Sequence, residues 1–244
     1  MGGMEKEEKL DPAEDITGEV EMYWRQELTI YDVRVVEKKG ILLNEKEFLP
    51  HEVVYRLPPQ ISDAGTRVEQ VRRDLERLVQ MGVNVIRLEG TGTGAEGVNC
   101  SEVRTFYSLC RKRGFLTGDL WIRPENLPVY RGLPGETTCQ ALLAADGRTL
   151  TERYYYYQAK WSSEPVLYPV LSTLHRQENG LLSLTIYSNQ KKVVLYVDGV
   201  LFLFQSAASG DPEFIFEDIP VAKLPLHLAV EAGNLSISLT VSKI

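Results

Sequence analysis

The 244-residue chain has few of the residues that build disulfide frameworks, zinc sites or membrane anchors. Its three cysteines and three histidines are far apart and include no Cys-x-x-Cys pair, so we expect neither a disulfide framework nor a metal site. No long apolar run is present, which argues against a transmembrane helix. No basic region followed by an apolar run opens the chain, so a secretory signal is not expected. These features predict a cytoplasmic protein without cofactors.

Positive charge is also scarce. Lys and Arg total 27 against 34 Asp and Glu, which gives a formal net charge of −7. Phosphate-rich partners bind basic faces, so we expect neither a nucleic acid nor a membrane as a partner. Many of the acids lie in residues 1–19, where apolar side chains are few and show no period. We predict that residues 1–22 form an acidic, flexible tail.

Residues 23–160 show strands that alternate with helices. A hairpin is expected around Asn44, because asparagine tolerates a positive φ in tight turns. Strands are then predicted at 51–57, 83–88 and 115–122, with one helix in each of the two intervals. Strands that are joined through helices are parallel and have right-handed crossovers, so the three strands are predicted to form a parallel sheet.

The first predicted helix has sequence signals for both of its ends. Thr66 and Glu69 have the spacing of a capping box, and Gly82 stands where a left-handed residue ends a helix. Its apolar face is predicted from helical spacing to contain Val68, Val71, Leu75, Leu78 and Val79. The second helix is predicted from Ser101 to Arg113, with Gly114 as its stop.

The second half of the chain changes its period. Residues 123–135 are rich in Pro and Gly and are predicted to be a loop, and a short helix is expected over 150–160. That helix carries four consecutive tyrosines, of which Tyr154 and Tyr157 can share an inward face. After residue 161, apolar and polar residues alternate in about seven short segments between marked turns, which predicts an antiparallel, immunoglobulin-like β-sandwich.

Several short motifs resemble those of family 2 glycoside hydrolases, the group of β-galactosidases, β-mannosidases and β-glucuronidases. They are LLNEKEF at 42–48, MGVNVIR at 81–87 with Asp74 before it, FYSLC at 106–110, and YYYQ at 155–158 followed by Trp161. No single motif is decisive. Their order along most of the chain carries the resemblance.

The resemblance implies a partial (β/α) barrel with parallel strands in residues 23–160, followed by the sandwich in residues 161–244. A complete barrel has eight units and about 250 residues, and residues 51–160 hold fewer than half of that number. The chain matches the first three units and then the end of the barrel. It therefore resembles an internally shortened member that lacks the central part of the barrel.

The resemblance also implies retaining β-glycosidase chemistry, which needs two carboxyl groups about 5 Å apart. In the family, the acid/base is the Glu of an Asn-Glu pair after the fourth strand and the nucleophile is a Glu after the seventh. Both would fall in the missing part. The Asn44-Glu45 pair of this chain precedes the barrel and does not take the acid role. We therefore predict no catalytic residues of its own, and whether it is an enzyme is left open.

Four residues are candidates for substrate binding. Arg87 matches a strand-end arginine that helps to hold the nucleophile in intact members, although a structural ion pair is the competing interpretation. Glu89 is a lone carboxylate close after it. Asp119 and Trp121 end the third strand, at the side where barrel loops build active sites. Trp121 could stack on a sugar ring or pack in the core.

The segment Gly92 to Gly97 reads GTGAEG and is a literal G-x-G-x-x-G between a strand and a helix. In a dinucleotide-binding fingerprint the helix begins within the glycines, so that its amide groups meet the pyrophosphate. Here three residues intervene before the predicted helix. A turn that replaces a family loop is the favoured interpretation.

Three hypotheses remain from the sequence. The first is a shortened glycosidase relative without its catalytic pair, which either associates with carbohydrate or has no function. The second is an active β-glycosidase that obtains its carboxylates from a partner chain or from unexpected residues. The third is a non-catalytic sugar-binding or protein-interaction module. A parallel sheet of three strands has open edges and an uncovered face. Self-association, or a partner chain that covers this sheet, is therefore a further prediction.

Overall fold

The computed structural model describes residues 33–36, 40–58, 64–89, 100–117, 127–131, 141–144, 146–208 and 210–243. Contacts divide the chain into two units, residues 1–49 and 50–244, which are described separately. The predicted acidic tail lies outside the described residues. The domain boundaries predicted after residues 22 and 160 stay predictions.

The first unit contains a small antiparallel sheet. Its strands are β1 (Val33–Val36), β2 (Gly40–Leu43) and β3 (Lys46–Phe48), in the order β1-β2-β3. Asn44 and Glu45 connect β2 to β3 with φ values of 50° and 67°. Two successive positive φ values are characteristic of the two-residue hairpin turn, so the hairpin predicted from Asn44 is confirmed.

The second unit begins with a five-stranded parallel sheet. Its strands are β4 (Glu52–Arg56), β5 (Val85–Glu89), β6 (Leu116–Thr117), β7 (Val129–Arg131) and β8 (Ala141–Leu143). Their order is β6-β5-β4-β7-β8, and every neighbouring pair is parallel. The parallel pairing of the first three strands and the partial barrel are confirmed.

Two of the five strands were not predicted. The segment 123–135, predicted as a loop, contains β7, which is joined to β4 by a hydrogen bond from the Val54 amide to the Pro128 carbonyl (3.1 Å). Strands of three residues are too short to show alternation, and proline at a strand's entry hides them further. The predicted three-stranded sheet is therefore wrong in size. After β6 the chain crosses to the other side of β4, whereas the strands of a complete barrel follow one another in chain order.

Within the part of the chain that the structure describes, three helices accompany this sheet: α1 (Ala64–Met81), α2 (Cys100–Lys112) and α3 (Glu152–Trp161). Gly82 and Gly114 follow α1 and α2 with φ values of +86° and +80°, which confirms both predicted helix ends. The capping box is wrong, because α1 begins at Ala64 and Thr66 therefore lies within its first turn.

The buried face of α1 is rotated from the predicted one. Val71, Leu75 and Leu78 are buried as expected, but Val79 is 49% exposed. The face instead continues through two polar residues and a methionine, namely Arg67, Asp74 and Met81, all of which are buried. The apolar pattern could not reveal this rotation, because a charged residue enters the core only where partners from other elements receive it.

One hydrophobic core joins the helices to the sheet. It contains the helix-facing residues of the strands together with one face of each helix, and includes Tyr55, Ile86, Phe106, Tyr130, Leu142 and Tyr154. Strand residues alternate between faces, so the other face of β4 and β5 carries a different set of side chains.

Seven antiparallel strands form the sandwich, as predicted. They are β9 (Leu167–Arg176), β10 (Leu182–Ser188), β11 (Lys192–Val197), β12 (Val200–Ser206), β13 (Glu213–Ile219), β14 (Leu226–Ala232) and β15 (Leu235–Val241). One sheet has the order β13-β10-β9 and the other β12-β11-β14-β15. Their inward residues, including Leu184, Leu195, Phe216 and Val230, form a second core. In the described stretches, no helix has the length and apolar character needed to cross a membrane.

Candidate functional site

Four charged side chains form two ion pairs on the face of β4 and β5 that is turned away from the helices. The Arg87 guanidinium donates from Nε to Glu52 Oε1 at 2.9 Å. Nearer the carboxyl ends of the strands, Arg56 donates from Nε to Glu89 Oε2 at 2.5 Å. In a parallel sheet of this class the carboxyl ends face the binding side. These four residues, here called the charged strip, are therefore the first candidate site.

The two pairs of the charged strip differ in access. The Glu52 side chain is fully buried and that of Arg87 is 18% exposed, whereas the Glu89 side chain is 49% exposed. Removing one partner of a buried pair leaves an uncompensated charge, which costs about 3–5 kcal/mol. The Glu52–Arg87 pair therefore holds β4 to β5, and the Arg56–Glu89 pair is the one that a ligand can reach.

A buried carboxylate lies on the opposite face of the sheet, between it and α1. Asp74 is 1% exposed and accepts hydrogen bonds from the hydroxyls of Tyr55 (2.9 Å) and Tyr130 (3.0 Å). The Arg131 guanidinium donates to it at 2.9 Å, and Arg77 lies 3.9 Å away. Burial, and then the charge of Asp74, hold the pKa of Tyr55 well above its usual value. Asp74 is thus committed to structure and ties α1 to β4 and β7.

The four predicted substrate-binding residues have different outcomes. Arg87 and Glu89 lie two residues apart on one face of β5, each paired with an arginine or glutamate of β4. Asp119 and Trp121 lie outside the described residues, as does the glycine-rich segment 92–97. Their roles in sugar binding stay predictions. Among the side chains that the structure describes, no group of three or more His, Cys, Asp or Glu is placed to hold a metal ion.

Two members of the charged strip, Glu52 and Arg56, were missed at the level of sequence. The signal was present, because they stand four residues apart in a strand and therefore share a face. Period-two alternation in EVVYR places both on one face of β4, but only the register of β4 against β5 shows that Arg87 and Glu89 share that face. Arg131 was missed for another reason: it ends a strand that was read as loop.

A second region of interest is the tyrosine cluster where α3 packs against the sandwich. The rings of Tyr155 and Tyr168 stack at a centroid distance of 3.8 Å. Tyr156 meets Tyr187 edge-on at 5.5 Å and Tyr157 edge-on at 5.4 Å. Of the four tyrosines of α3, Tyr154 is fully buried and the other three are half-buried. Tyr157 packs against the core that contains Tyr154, whereas Tyr156 does not, so the predicted shared inward face of Tyr154 and Tyr157 is confirmed.

The C-terminal ends of α1 and α3 approach each other closely at Gly82. A Cβ added to Gly82 would lie 2.4 Å from the carbonyl oxygen of Trp161. The Trp161 ring stacks on His51 at 5.1 Å, and His51 Nδ1 lies 2.9 Å from the Gly82 carbonyl oxygen. This junction sets how α3, and with it the tyrosine cluster, is placed on the sheet.

Comparison with known proteins gives structural matches only. No family model matches the sequence, and no curated protein matches it. Among solved structures, an FMN-binding beta-glucuronidase from Facaelibacterium prausnitzii L2-6 matches with a TM-score of 0.58 at 13% identity, over 88% of this chain and 59% of that one.

Two further structures match in the same way. A putative beta-galactosidase from Bacteroides fragilis gives a TM-score of 0.55 at 13% identity, over 87% of this chain and 57% of that one. A glycosyl hydrolase family 2 member from Bacteroides cellulosilyticus gives 0.54 at 12% identity, over 87% and 48%. At such identities the likeness concerns the fold. The chain therefore has a fold like that of family 2 glycoside hydrolases and spans about half the length of the proteins it matches.

Proposed function

We propose that the chain is a carbohydrate-associated relative of family 2 glycoside hydrolases, internally shortened and without a catalytic carboxylate pair of its own. The division into a barrel-derived part (23–160) and a sandwich (161–244) belongs to this proposal. The observation that carries it is the charged strip. A retaining glycosidase needs one carboxyl group to protonate the leaving group and a second to attack the sugar. Here both acids of the strip are held by arginines.

The roles within the charged strip follow from exposure. We assign Arg87 to the support of the sheet, since its partner Glu52 is fully buried. The half-exposed Glu89 and its partner Arg56 present a carboxylate acceptor and guanidinium donors at the carboxyl end of the sheet. Such a pair suits the hydroxyl groups of a sugar. Asp119 and Trp121 are proposed to extend this surface.

Hydrolysis is tested with a panel of nitrophenyl β-glycosides that includes the galactoside, mannoside, glucoside and glucuronide. We expect the full chain to release no more nitrophenol than its Glu89→Gln variant. Equal background in both excludes Glu89 as a hidden catalyst. Turnover by the wild type that disappears in Glu89→Gln or Asp119→Asn would overturn the proposal and favour an active glycosidase.

A second candidate function, a protein-interaction module, is favoured by strand β12. It is the edge of its sheet, and its segment 200–206 carries no charged residue. Leu201, Leu203 and Phe204 are 54%, 42% and 53% exposed. Long uncharged edge strands pair with other strands, and protein sheets normally protect them with charge. Support for self-association thus comes from the sandwich rather than from the parallel sheet.

We propose that two copies pair through β12 in an antiparallel, two-fold arrangement, because one strand edge is then complementary to itself. Light scattering coupled to size exclusion should show a dimer whose mass is independent of salt. Leu203→Lys should give a monomer, and the matched change Leu171→Lys, at an exposed residue of β9, should not. A monomeric wild type at high concentration would rule the pairing out.

A further inference from the structure

A groove of about 390 Å³ lies along α3, where the helix meets β10 of the sandwich. It is lined by Glu152, Arg153, Tyr156, Tyr157 and Tyr187, and is here called the tyrosine groove. Its volume falls in the range of small-molecule sites, which combine aromatic walls with a few polar groups. None of these residues belongs to the charged strip.

The walls of the groove are three half-buried phenol rings set at right angles. Tyr156 is inclined by 87° to Tyr157 and by 78° to Tyr187, so its ring stands across the other two. Burial raises the pKa of Tyr187 to about 12, with further contributions from Glu213 and Glu152. The Tyr187 hydroxyl is therefore protonated at neutral pH and can both donate and accept a hydrogen bond.

The charges of the groove balance. Arg153 contributes one positive charge and Glu152 one negative charge, and Glu152 is anchored by the backbone amide (3.1 Å) and hydroxyl (2.6 Å) of Ser172. A cationic ligand is disfavoured, because it would be repelled by Arg153 and Lys160, which stand 5.6 Å from the centroids of the Tyr157 and Tyr156 rings. An anionic ligand would meet the fixed carboxylate of Glu152.

The chemistry that remains is that of a neutral polyhydroxylated ring. A sugar offers an apolar C–H face to an aromatic ring and hydroxyl groups around its rim. The rim hydroxyls can bond to phenol hydroxyls, to a guanidinium and to a carboxylate. Lys160 lies near the outer limit of a cation–π contact with Tyr156, so a ligand can displace it from that ring at little cost.

We infer that the tyrosine groove binds a neutral saccharide of one or two units, stacked on Tyr156 and hydrogen-bonded by Arg153. This inference rests on the proposed carbohydrate association and gives it a place outside the sheet. The groove is built by α3 and the sandwich together. It therefore requires none of the missing barrel.

The test is saturation-transfer NMR on the full chain with methyl β-glucoside, methyl β-galactoside, methyl β-mannoside and cellobiose as probes. At least one should bind in the millimolar range, and Tyr156→Ala should weaken it by about tenfold or more. The matched control is Tyr196→Ala, a half-buried tyrosine of β11 that is not in the groove, which should leave binding unchanged. Circular dichroism of each variant confirms its fold.

Each outcome bears on a different claim. Sugar binding that survives both Tyr156→Ala and Arg153→Gln overturns the assignment of the tyrosine groove as the binding site and leaves the proposed carbohydrate association intact. Wild-type chain that binds none of the four sugars overturns both. Stronger binding of tetramethylammonium or of methyl β-glucuronide than of the neutral probes overturns the charge argument, and so the assignment of the ligand.

Discussion

Replacing Gly82 by alanine tests the junction between α1 and α3. Two separate costs are expected there. The first is conformational, because Gly82 has a φ of +86° and side chains other than glycine's lose about 1–2 kcal/mol in that region. The second is steric, because the new Cβ would lie 2.4 Å from the carbonyl oxygen and 2.6 Å from the carbonyl carbon of Trp161.

Gly114 separates the two costs. It ends α2 with a φ of +80°, and a Cβ added there meets nothing within 4 Å. Gly114→Ala should therefore lower the free energy of unfolding by about 1–2 kcal/mol, the conformational cost alone. Gly82→Ala should lower the free energy of unfolding by about 3–5 kcal/mol, because the new Cβ meets the backbone of Trp161 and the end of α3 must then move away from α1. Asparagine tolerates the left-handed region, so Gly114→Asn should recover part of the loss and Gly82→Asn should not.

Guanidinium unfolding measured by fluorescence gives these values. In a Trp24→Phe, Trp121→Phe background, Trp161 is the remaining tryptophan and reports on the junction itself. The same series on Gly114 is read by near-ultraviolet circular dichroism. Equal losses for Gly82→Ala and Gly114→Ala would refute the steric argument. Rescue of Gly82 by asparagine would refute it as well, since the clash is with Cβ.

Two more outcomes follow from the buried polar groups. Asp74→Ala should lower the free energy of unfolding, measured by urea denaturation, by about 3–5 kcal/mol, because it removes the carboxylate that Arg131 and two buried hydroxyls bind. Asp74→Asn keeps a hydrogen-bond acceptor and should therefore lower it by less. Burial raises the pKa of Tyr55 above its usual 10.0, so the folded state holds the phenol proton more tightly than the unfolded state does. The buried neutral phenol therefore contributes its full stability below pH 10, and this contribution is lost as the pH rises above 10. Tyr55→Phe lacks the hydrogen bond to Asp74 at every pH, but the further loss of stability above pH 10 should be smaller than in the wild type; an equal loss would contradict this.

Local sequence patterns predicted the elements that are bounded by characteristic turn or helix-end residues. Asn44 marked a hairpin because few residues accept its φ, and Gly82 and Gly114 marked helix ends for the same reason. The sandwich was predictable because its strands are six or more residues long, which gives alternation room to show. In each case the decisive information lies within a few residues of the element.

The remaining features depend on partners that are distant in sequence. β7 is a strand only because β4 pairs with it, and β8 only because β7 pairs with it; three residues alone carry no period. The rotated face of α1 follows from Asp74, whose partner Arg131 lies 57 positions further along. Of the charged strip, Arg87 was predicted through the resemblance and Glu89 as a lone carboxylate close after it. Their partners required the register of β4 against β5, which no single segment contains.

The strand order of the parallel sheet also has a consequence for synthesis. α1 and β4 emerge from the ribosome early, yet their partners Tyr130, Leu142 and Tyr154 come later, and α3 closes the core last. At about 5–20 residues per second, translation from Met81 to Trp161 takes roughly 4–16 s. During that interval the nascent chain exposes the apolar face of α1, and Asp74 lacks its later partners Tyr130 and Arg131. The first half of the chain thus cannot complete its core until its closing segment arrives, whereas the sandwich, with all its strands in 167–241, can fold as soon as it is complete.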